Sequence, residues 1–377
     1  VRIGVIAPNR NPLCEPFAGG TEAHTVDLAR GLRARGHTVS VFGPVGSPSD
    51  LVDRDDVLPV LSLSETALRD VSSAPAWFLA QHHAYLALML RLQGEARDRF
   101  DVIHDNAIHY LTLSMASSTG VPTVATLHTP PTPWAESGFA ASAGPRPVLR
   151  AVSQSSARLW AESLGPVPVI ANGVDTAAFV PGPGGGGAVW IGRLVPEKGA
   201  DHAIAAARHA GVALTLAGPV GEPEWFSAHV RPQLGGQISY AGHLSRPELV
   251  HLLGASSVLV ATPRWDEPFG LAVAEALACG TPVASYARGA ATEILDDSCG
   301  ATAIADDVLG LGAAVTAAAQ LDRAAARRRA VDCWSVERMV DEYSALYRSL
   351  SHARPRQTRR PIHQAERVHA TDGRARH

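Results

Sequence analysis

Short apolar runs alternate with longer segments in which apolar residues recur every three or four positions, and this alternation passes through the chain twice. The first run, "RIGVIAP", precedes "TEAHTVDLARGLRARGH", where Val26, Ala29 and Leu32 share one helical face. "TVSVFGP" follows, then "DVIHD" and "PTVATLH", whose continuous apolar character suits a parallel sheet covered on both faces. The pattern restarts at "GAVWIG" and continues through a helix over 200–210, "ALTLAG", "ISYAG", a helix over 246–254, "SVLVATP", a helix over 270–279 and "TPVASY". That order predicts an α/β chain of two doubly wound Rossmann-like domains. We place the N-terminal domain at 1–170 and the C-terminal domain at 171–333. The glycine run in "VPGPGGGG", 180–187, precedes a strand instead of opening a helix, so it reads as a flexible linker and not as a dinucleotide loop. A last segment, "SVERMVDEYSALYRSL" within 334–350, puts Val336, Met339, Val340, Tyr343 and Leu346 on one face and must dock on another surface.

Composition narrows the class. Of 377 residues 46% are hydrophobic and the net charge is only −3, which fits an ordinary folded protein and excludes a general nucleic-acid binder. Cys14, Cys279, Cys299 and Cys333 are too scattered for a metal pair or a disulfide framework, so a reducing cytoplasm is the expected setting. The first residues enter a strand without the pattern of a signal peptide. The longest apolar stretch, "WFLAQHHAYLALMLRL", is interrupted by Gln81, His82 and His83 and is expected to form a partly buried helix, not a membrane span. The tail, 351–377, is arginine-rich and expected to be disordered, with peripheral attraction to an anionic membrane surface as one use for it.

The candidate chemistry gathers where parallel sheets bind ligands, beyond the carboxyl ends of the strands. Lys198 is the only lysine in the chain, and it stands with Arg193 in "IGRLVPEKG", between a strand and a helix beginning near 200. Two readings fit. "PEKG" is a solvated turn, or the two cations beside a helix N-terminus hold a diphosphate. "DEPFGLAVAEALACGTPVASY" places Glu267 in a loop and Glu275 inside the next helix, about 80° apart around its axis even if both were helical, so they do not form one carboxylate pair. Glu267 and Glu275 read either as holders of different hydroxyls on one extended ligand or as a solvated loop acid and a first-turns acid. Backbone N–H groups of Phe269, Gly270 and Leu271 would add donors at that helix mouth. Gly19 and Gly20 open the first helix, but "TVSVFGPVG" lacks the ribose-binding acid of a nicotinamide dehydrogenase.

"FAGGTEAHTVDLARGL", "VIANGVDTAAF", "IGRLVPEKG" and "EPFGLAVAEALACGTPVA" together resemble family 4 of the nucleotide-sugar glycosyltransferases, retaining enzymes of the GT-B fold, over roughly residues 1–350. The resemblance implies two domains facing across a cleft, with the last helix crossing back to the N-terminal one. It implies that Arg193 and Lys198 bind the donor diphosphate, that Gly19 and Gly20 face the phosphates, and that Glu267 contacts the transferred sugar while Glu275 holds the ribose. His128 matches a histidine near the sugar, although a lone histidine after a strand is as often structural. The partners implied are a nucleoside-diphosphate sugar donor and a hydroxyl acceptor, with no separate cofactor and no metal. Two departures stand out: "EPFG" has Pro268 where glycine is common, and Gly289 is followed by Ala290 where a second glycine is usual. A sugar-nucleotide 2-epimerase and a non-catalytic nucleotide-sugar sensor are the alternatives. On the acceptor side, 130–147 is expected to form a loop whose Trp134 either stacks on a sugar or plugs a core.

Overall fold

A computed structural model describes residues 1–107 and 109–352. The N-terminal half builds a five-stranded sheet from β1 (Arg2–Ile6), β2 (Thr38–Phe42), β3 (Val102–Asp105), β4 (Thr123–Leu127) and β5 (Val148–Ala151). Their spatial order is β2-β1-β3-β4-β5, and every pairing is parallel. Its helices are α1 (Gly20–Ala34), α2 (Ala76–Arg99), α3 (Tyr110–Ser114), α4 (Pro133–Ala141) and α5 (Gln154–Leu164). The second half contributes β6 (Ala188–Ile191), β7 (Leu214–Ala217), β8 (Ile238–Tyr240), β9 (Val258–Ala261), β10 (Val283–Tyr286) and β11 (Gly300–Ala303). These form a parallel sheet in the order β11-β10-β9-β6-β7-β8. Around it lie α6 (Ala200–Ala210), α7 (Pro223–Trp225), α8 (Arg246–Ala255), α9 (Leu271–Ala278), α10 (Ala291–Ile294), α11 (Val308–Ala318) and α12 (Arg323–Cys333). Each sheet is buried by helices on both faces, as continuous runs such as "VAS" in β10 and "VLV" in β9 require.

The chain crosses between the halves twice, and the two crossings are tied together. Val174 N–H donates to Trp334 O at 2.8 Å, and Val336 N–H donates to Val174 O at 2.9 Å. Beyond the second crossing α13 (Val336–His352) lies on α1. A side chain at Gly31 would come within 2.7 Å of Val340 Cγ2, so the glycine sets how closely the two helices approach. Met339, Val340, Tyr343 and Tyr347 are buried there, whereas Leu346 and Val336 sit at the margin. α13 extends to His352, so the expected tail begins later than 351; its remainder, 353–377, lies outside the described residues.

Two expectations need correction. The glycine run is not a flexible linker: Gly184 N–H donates to Gly254 O and Gly186 N–H to Ala255 O, both at 2.8 Å. Side chains at Gly182, Gly186 or Gly187 would collide with the backbone of Gly254, Ala255 or Ala213. These glycines are there for close packing, because only a chain without Cβ atoms fits against the end of α8 and, at Gly187, against Ala213. Segment 130–147 is likewise not a plain loop, since α4 occupies its middle. Thr132 Oγ1 accepts from Ala135 N–H at 3.2 Å and Pro133 takes the first helical turn, which together start the helix.

Candidate functional site

The carboxyl ends of both sheets open onto one cleft of about 820 Å³ between the two halves. All the sequence-predicted site residues line it: Gly19, Gly20 and His128 from the N-terminal wall, and Arg193, Lys198, Glu267, Phe269, Gly270, Leu271 and Glu275 from the other.

The C-terminal wall is built from the loops after β6 and β9. Past β6 a 3₁₀ turn, Pro196–Lys198, ends at Gly199 with φ of 69°, where a Cβ would lie 2.3 Å from Thr262 O. Thr262 links the two loops: its hydroxyl contacts Lys198 O at 2.9 Å and Gly199 O at 2.8 Å, while Trp190 Nε1–H donates to it at 2.9 Å. This holds Lys198 at the cleft, where its Nζ forms an ion pair with Glu267 Oε1 and lies 5.4 Å from the centre of the Trp265 ring. Arg193 is freer, about half exposed, with Glu197 3.9 Å away. The "PEKG" segment is therefore not a merely solvated turn.

The loop carrying Glu267 is braced from behind. Ala290 N–H donates to Glu267 O at 3.1 Å, and Gly289, with φ of 58°, passes so close that a Cβ would stand 2.6 Å from the Glu267 backbone. The first glycine of this pair is thus obligatory on geometry. The second is not, because Ala290 has φ of −76° and its buried methyl fits. Gly270, with φ of 86°, caps α9, whose first turn carries no acid. Its leading N–H groups have no partner inside the helix and make the mouth electropositive.

Across the cleft the N-terminus of α1 approaches this mouth. A Cβ on Gly20 would stand 2.9 Å from Leu271 Cδ1, so Gly20 permits the contact. Glu22, which sequence reasoning passed over, also lines the cleft; it is nearly buried and accepts from Asn11 Nδ2 at 3.1 Å. It sits in the first turn of α1 and offsets that helix's dipole.

His128 is held by a hydrogen-bond chain from the core. Thr25 gives its hydroxyl proton to Thr21 O at 2.8 Å, so the 3.3 Å contact with Asn106 Nδ2 has the amide as donor. Asn106 Oδ1 must then accept from both His104 Nε2 at 2.8 Å and His128 Nε2 at 2.9 Å. Both rings carry their proton on Nε2, and Nδ1 of His128 is left as its acceptor. The chain continues from His104 to Tyr347 and, through Thr126, to Tyr343 on α13. Burial, with the neighbouring imidazole His104, lowers His128 to about 3, and burial lowers His104 to about 4. His24 packs edge-on against His128 at 4.5 Å with both ring nitrogens buried and unpartnered, and burial holds it neutral as well. "HTVDL" and "HDN" gave no sign that these residues would meet.

The halves are also latched beside Glu275. Arg246, at the start of α8, donates from Nη2 to Asp27 Oδ2 on α1 at 3.0 Å, and its backbone N–H donates to Glu15 Oε2 at 3.0 Å. Burial, opposed by Arg246 and reinforced by Asp27, pushes Glu275 up to about 7. Arg246 was the main residue that sequence reasoning missed; its signal, an arginine at a helix start, is common to many solvated helices. Among the described residues no group of three or more His, Cys, Asp or Glu is arranged to hold a metal ion. None of the described helices is long and apolar enough to cross a membrane.

Known proteins share both the sequence and the fold. Residues 18–178 match the family model described as Glycosyltransferase Family 4, and residues 187–318 match that of Glycosyl transferases group 1. A glycogen synthase of Mycobacterium tuberculosis is 31% identical over 354 residues, covering 83% of this chain and 85% of its own. A D-inositol 3-phosphate glycosyltransferase of Mycolicibacterium paratuberculosis is 28% identical over 411 residues, covering 92% and 90%. Among solved structures, Anabaena HepE in complex with UDP and glucose superposes with a TM-score of 0.70 at 18% identity, over 92% of this chain and 99% of that one.

Proposed function

Since this chain belongs to glycosyltransferase family 4 and has the GT-B fold, we propose that it moves a sugar from a nucleoside-diphosphate sugar to a hydroxyl acceptor, with retention and without a metal ion. The observation that carries this reading is the meeting of Lys198 with the mouth of α9 at one end of the cleft, where Lys198 pairs with Glu267 beside Gly270 and the first helical turn itself holds no acid. As the bond between sugar and phosphate breaks, negative charge grows on the leaving diphosphate and positive charge on the sugar ring. Lys198, Arg193 and the N–H groups of Phe269, Gly270 and Leu271 stabilise the first, and the fixed backbone of the α9 mouth keeps the accompanying rearrangement small. The Glu267 carboxylate, oriented by Lys198, takes sugar hydroxyls, and Glu275 takes the ribose diol. Neutral His128 offers Nδ1 to another hydroxyl near the sugar. The acceptor oxygen attacks on the face that the diphosphate leaves, and the acceptor proton passes to the departing phosphate oxygen.

A uridine diphosphate sugar is the first donor to test, because HepE was solved with UDP and glucose. The relatives' names point to different acceptors, glycogen and D-inositol 3-phosphate, so they do not select one. The test is thermal unfolding with UDP, GDP, ADP and their glucose or mannose conjugates, followed by product analysis. A bound nucleotide at 100 times its Kd should stabilise by about 2.7 kcal/mol. No shift with any nucleoside diphosphate would end the proposal. Isomerisation of the donor alone would reassign the protein as an epimerase, and binding with no turnover on any acceptor would make it a sensor.

A further inference from the structure

Two of the seven tryptophans, Trp77 and Trp134, are more than half exposed. Phe78 joins them, 5.9 Å from Trp77 in an edge contact and 5.4 Å from Trp134. Tyr110 completes the group, 5.1 Å from Trp134 and stacked on Phe78 at 6.4 Å. The cluster draws on three elements, the first turn of α2, the start of α3 and the first turn of α4. It is held rigidly. One turn after Trp134, Gly138 lets α4 lie directly on Tyr110, whose carbonyl oxygen would be 2.8 Å from any added Cβ. His82 bonds the Tyr110 hydroxyl from below.

The cluster continues the cleft. Arg10 lines the cleft and also lies over Trp77 at 5.1 Å, while Gln81 and His109, in α2 and just ahead of α3, line it beside Tyr110. Burial, with the neighbouring His82, lowers His109 to about 4, so this edge offers neutral hydrogen-bonding groups, with Arg10 as its only fixed cation among the residues named. Flat aromatic faces next to neutral donors and acceptors are the chemistry of carbohydrate recognition: ring C–H groups lie on indole while hydroxyls find polar partners. An anionic lipid surface would instead call for a cluster of basic side chains.

We propose that Trp77, Phe78, Tyr110 and Trp134 form an acceptor platform, and that the acceptor is a neutral oligosaccharide whose terminal hydroxyl reaches the cleft past Arg10. This rests on the glycosyl-transfer reading above, which supplies the need for an acceptor on the N-terminal wall. A position shared between three elements and preorganised before any ligand arrives accounts for why two large apolar side chains stay exposed.

The test is a neutral-oligosaccharide array that includes malto-oligosaccharides, probed with the full chain and with a Trp77→Ala/Trp134→Ala double variant. UDP affinity and slow hydrolysis of UDP-sugar are measured alongside. The expected result is retention of at least one neutral oligosaccharide by the parent protein, weakened at least tenfold in the double variant, with UDP affinity unchanged within twofold. Absence of oligosaccharide binding, or binding that the double variant keeps, overturns the platform. So does retention of the parent but not the variant on phosphatidylglycerol vesicles without any oligosaccharide binding, which would make the cluster a membrane contact. Absence of binding to every one of UDP, GDP and ADP by the parent protein would instead strike the donor reading, so the two failures are separable. If the double variant unfolds, Trp77→Leu and Trp134→Leu, which fill the space without an aromatic face, must show the same tenfold loss, and retained binding in them overturns the platform.

Discussion

The two helix mouths that face each other across the cleft look alike in sequence and differ in charge. Both α1 and α9 begin at a glycine and point their N-termini into the same space. In α1 the nearly buried Glu22 offsets the dipole, and the wall behind it is made of neutral imidazoles, amides and hydroxyls. In α9 no acid occupies the first turn, and Lys198 and Arg193 stand nearby. The C-terminal wall is therefore the better suited of the two to a strong anion. The other wall is suited to uncharged hydroxyls, so under the proposed function the polarity of the cleft would set which end of a donor goes where.

Removing the cation should have the largest effect. Lys198→Ala is expected to lower turnover by roughly 10²–10³, the range for deleting one preorganised charge-stabilising donor. The fold should change little, because Lys198 and Glu267 both retain partial exposure. Equal turnover in that variant would erase the contrast between the walls. An intermediate effect is expected from Glu275→Gln. A carboxyl raised to about 7 binds its proton more tightly in the folded state than in the unfolded chain. Its stabilising share is complete below the unfolded value, near 4.5, and is lost as pH climbs through about 7. The variant should therefore match the parent at pH 4 in urea unfolding and exceed it at pH 8, on the order of 1–2 kcal/mol after allowing for solvent reached through the cleft. It should also bind nucleotide more weakly at pH 8, and an unchanged nucleotide Kd would remove the ribose role. The smallest effect belongs to Glu22→Gln. Freeing the α1 dipole should tighten UDP binding by less than about threefold by calorimetry, in keeping with a few tenths of a kcal/mol. A tenfold change would mean that the phosphates sit closer to α1 than to α9.

Much of this contrast was legible from local pattern. The apolar runs located β6 and β9, and the residues just after them, Lys198 and Glu267, had to lie at the carboxyl edge of the sheet. Their ion pair was not legible, because it joins positions 69 residues apart through loops whose spacing is fixed by Thr262. β11 escaped notice because "GATA" has little intrinsic strand preference and is extended by pairing with β10. The glycine run misled for the opposite reason: composition alone suggests freedom, whereas contact with Gly254 and Ala255 removes it. The tautomer of His128 depends on which way Asn106 points, and that in turn depends on where Thr25 sends its proton. No linear pattern records such a chain.

The solitary lysine has a practical corollary. An endoproteinase that cuts after lysine has a single target bond in this chain, Lys198–Gly199. That bond lies in a 3₁₀ turn closed by a left-handed glycine and pinned by Thr262, a shape that a protease cleft does not accept without local unfolding. The cutting rate would then report how often the loop after β6 opens and, under the proposed function, a bound donor would slow it, with no label and no engineered probe.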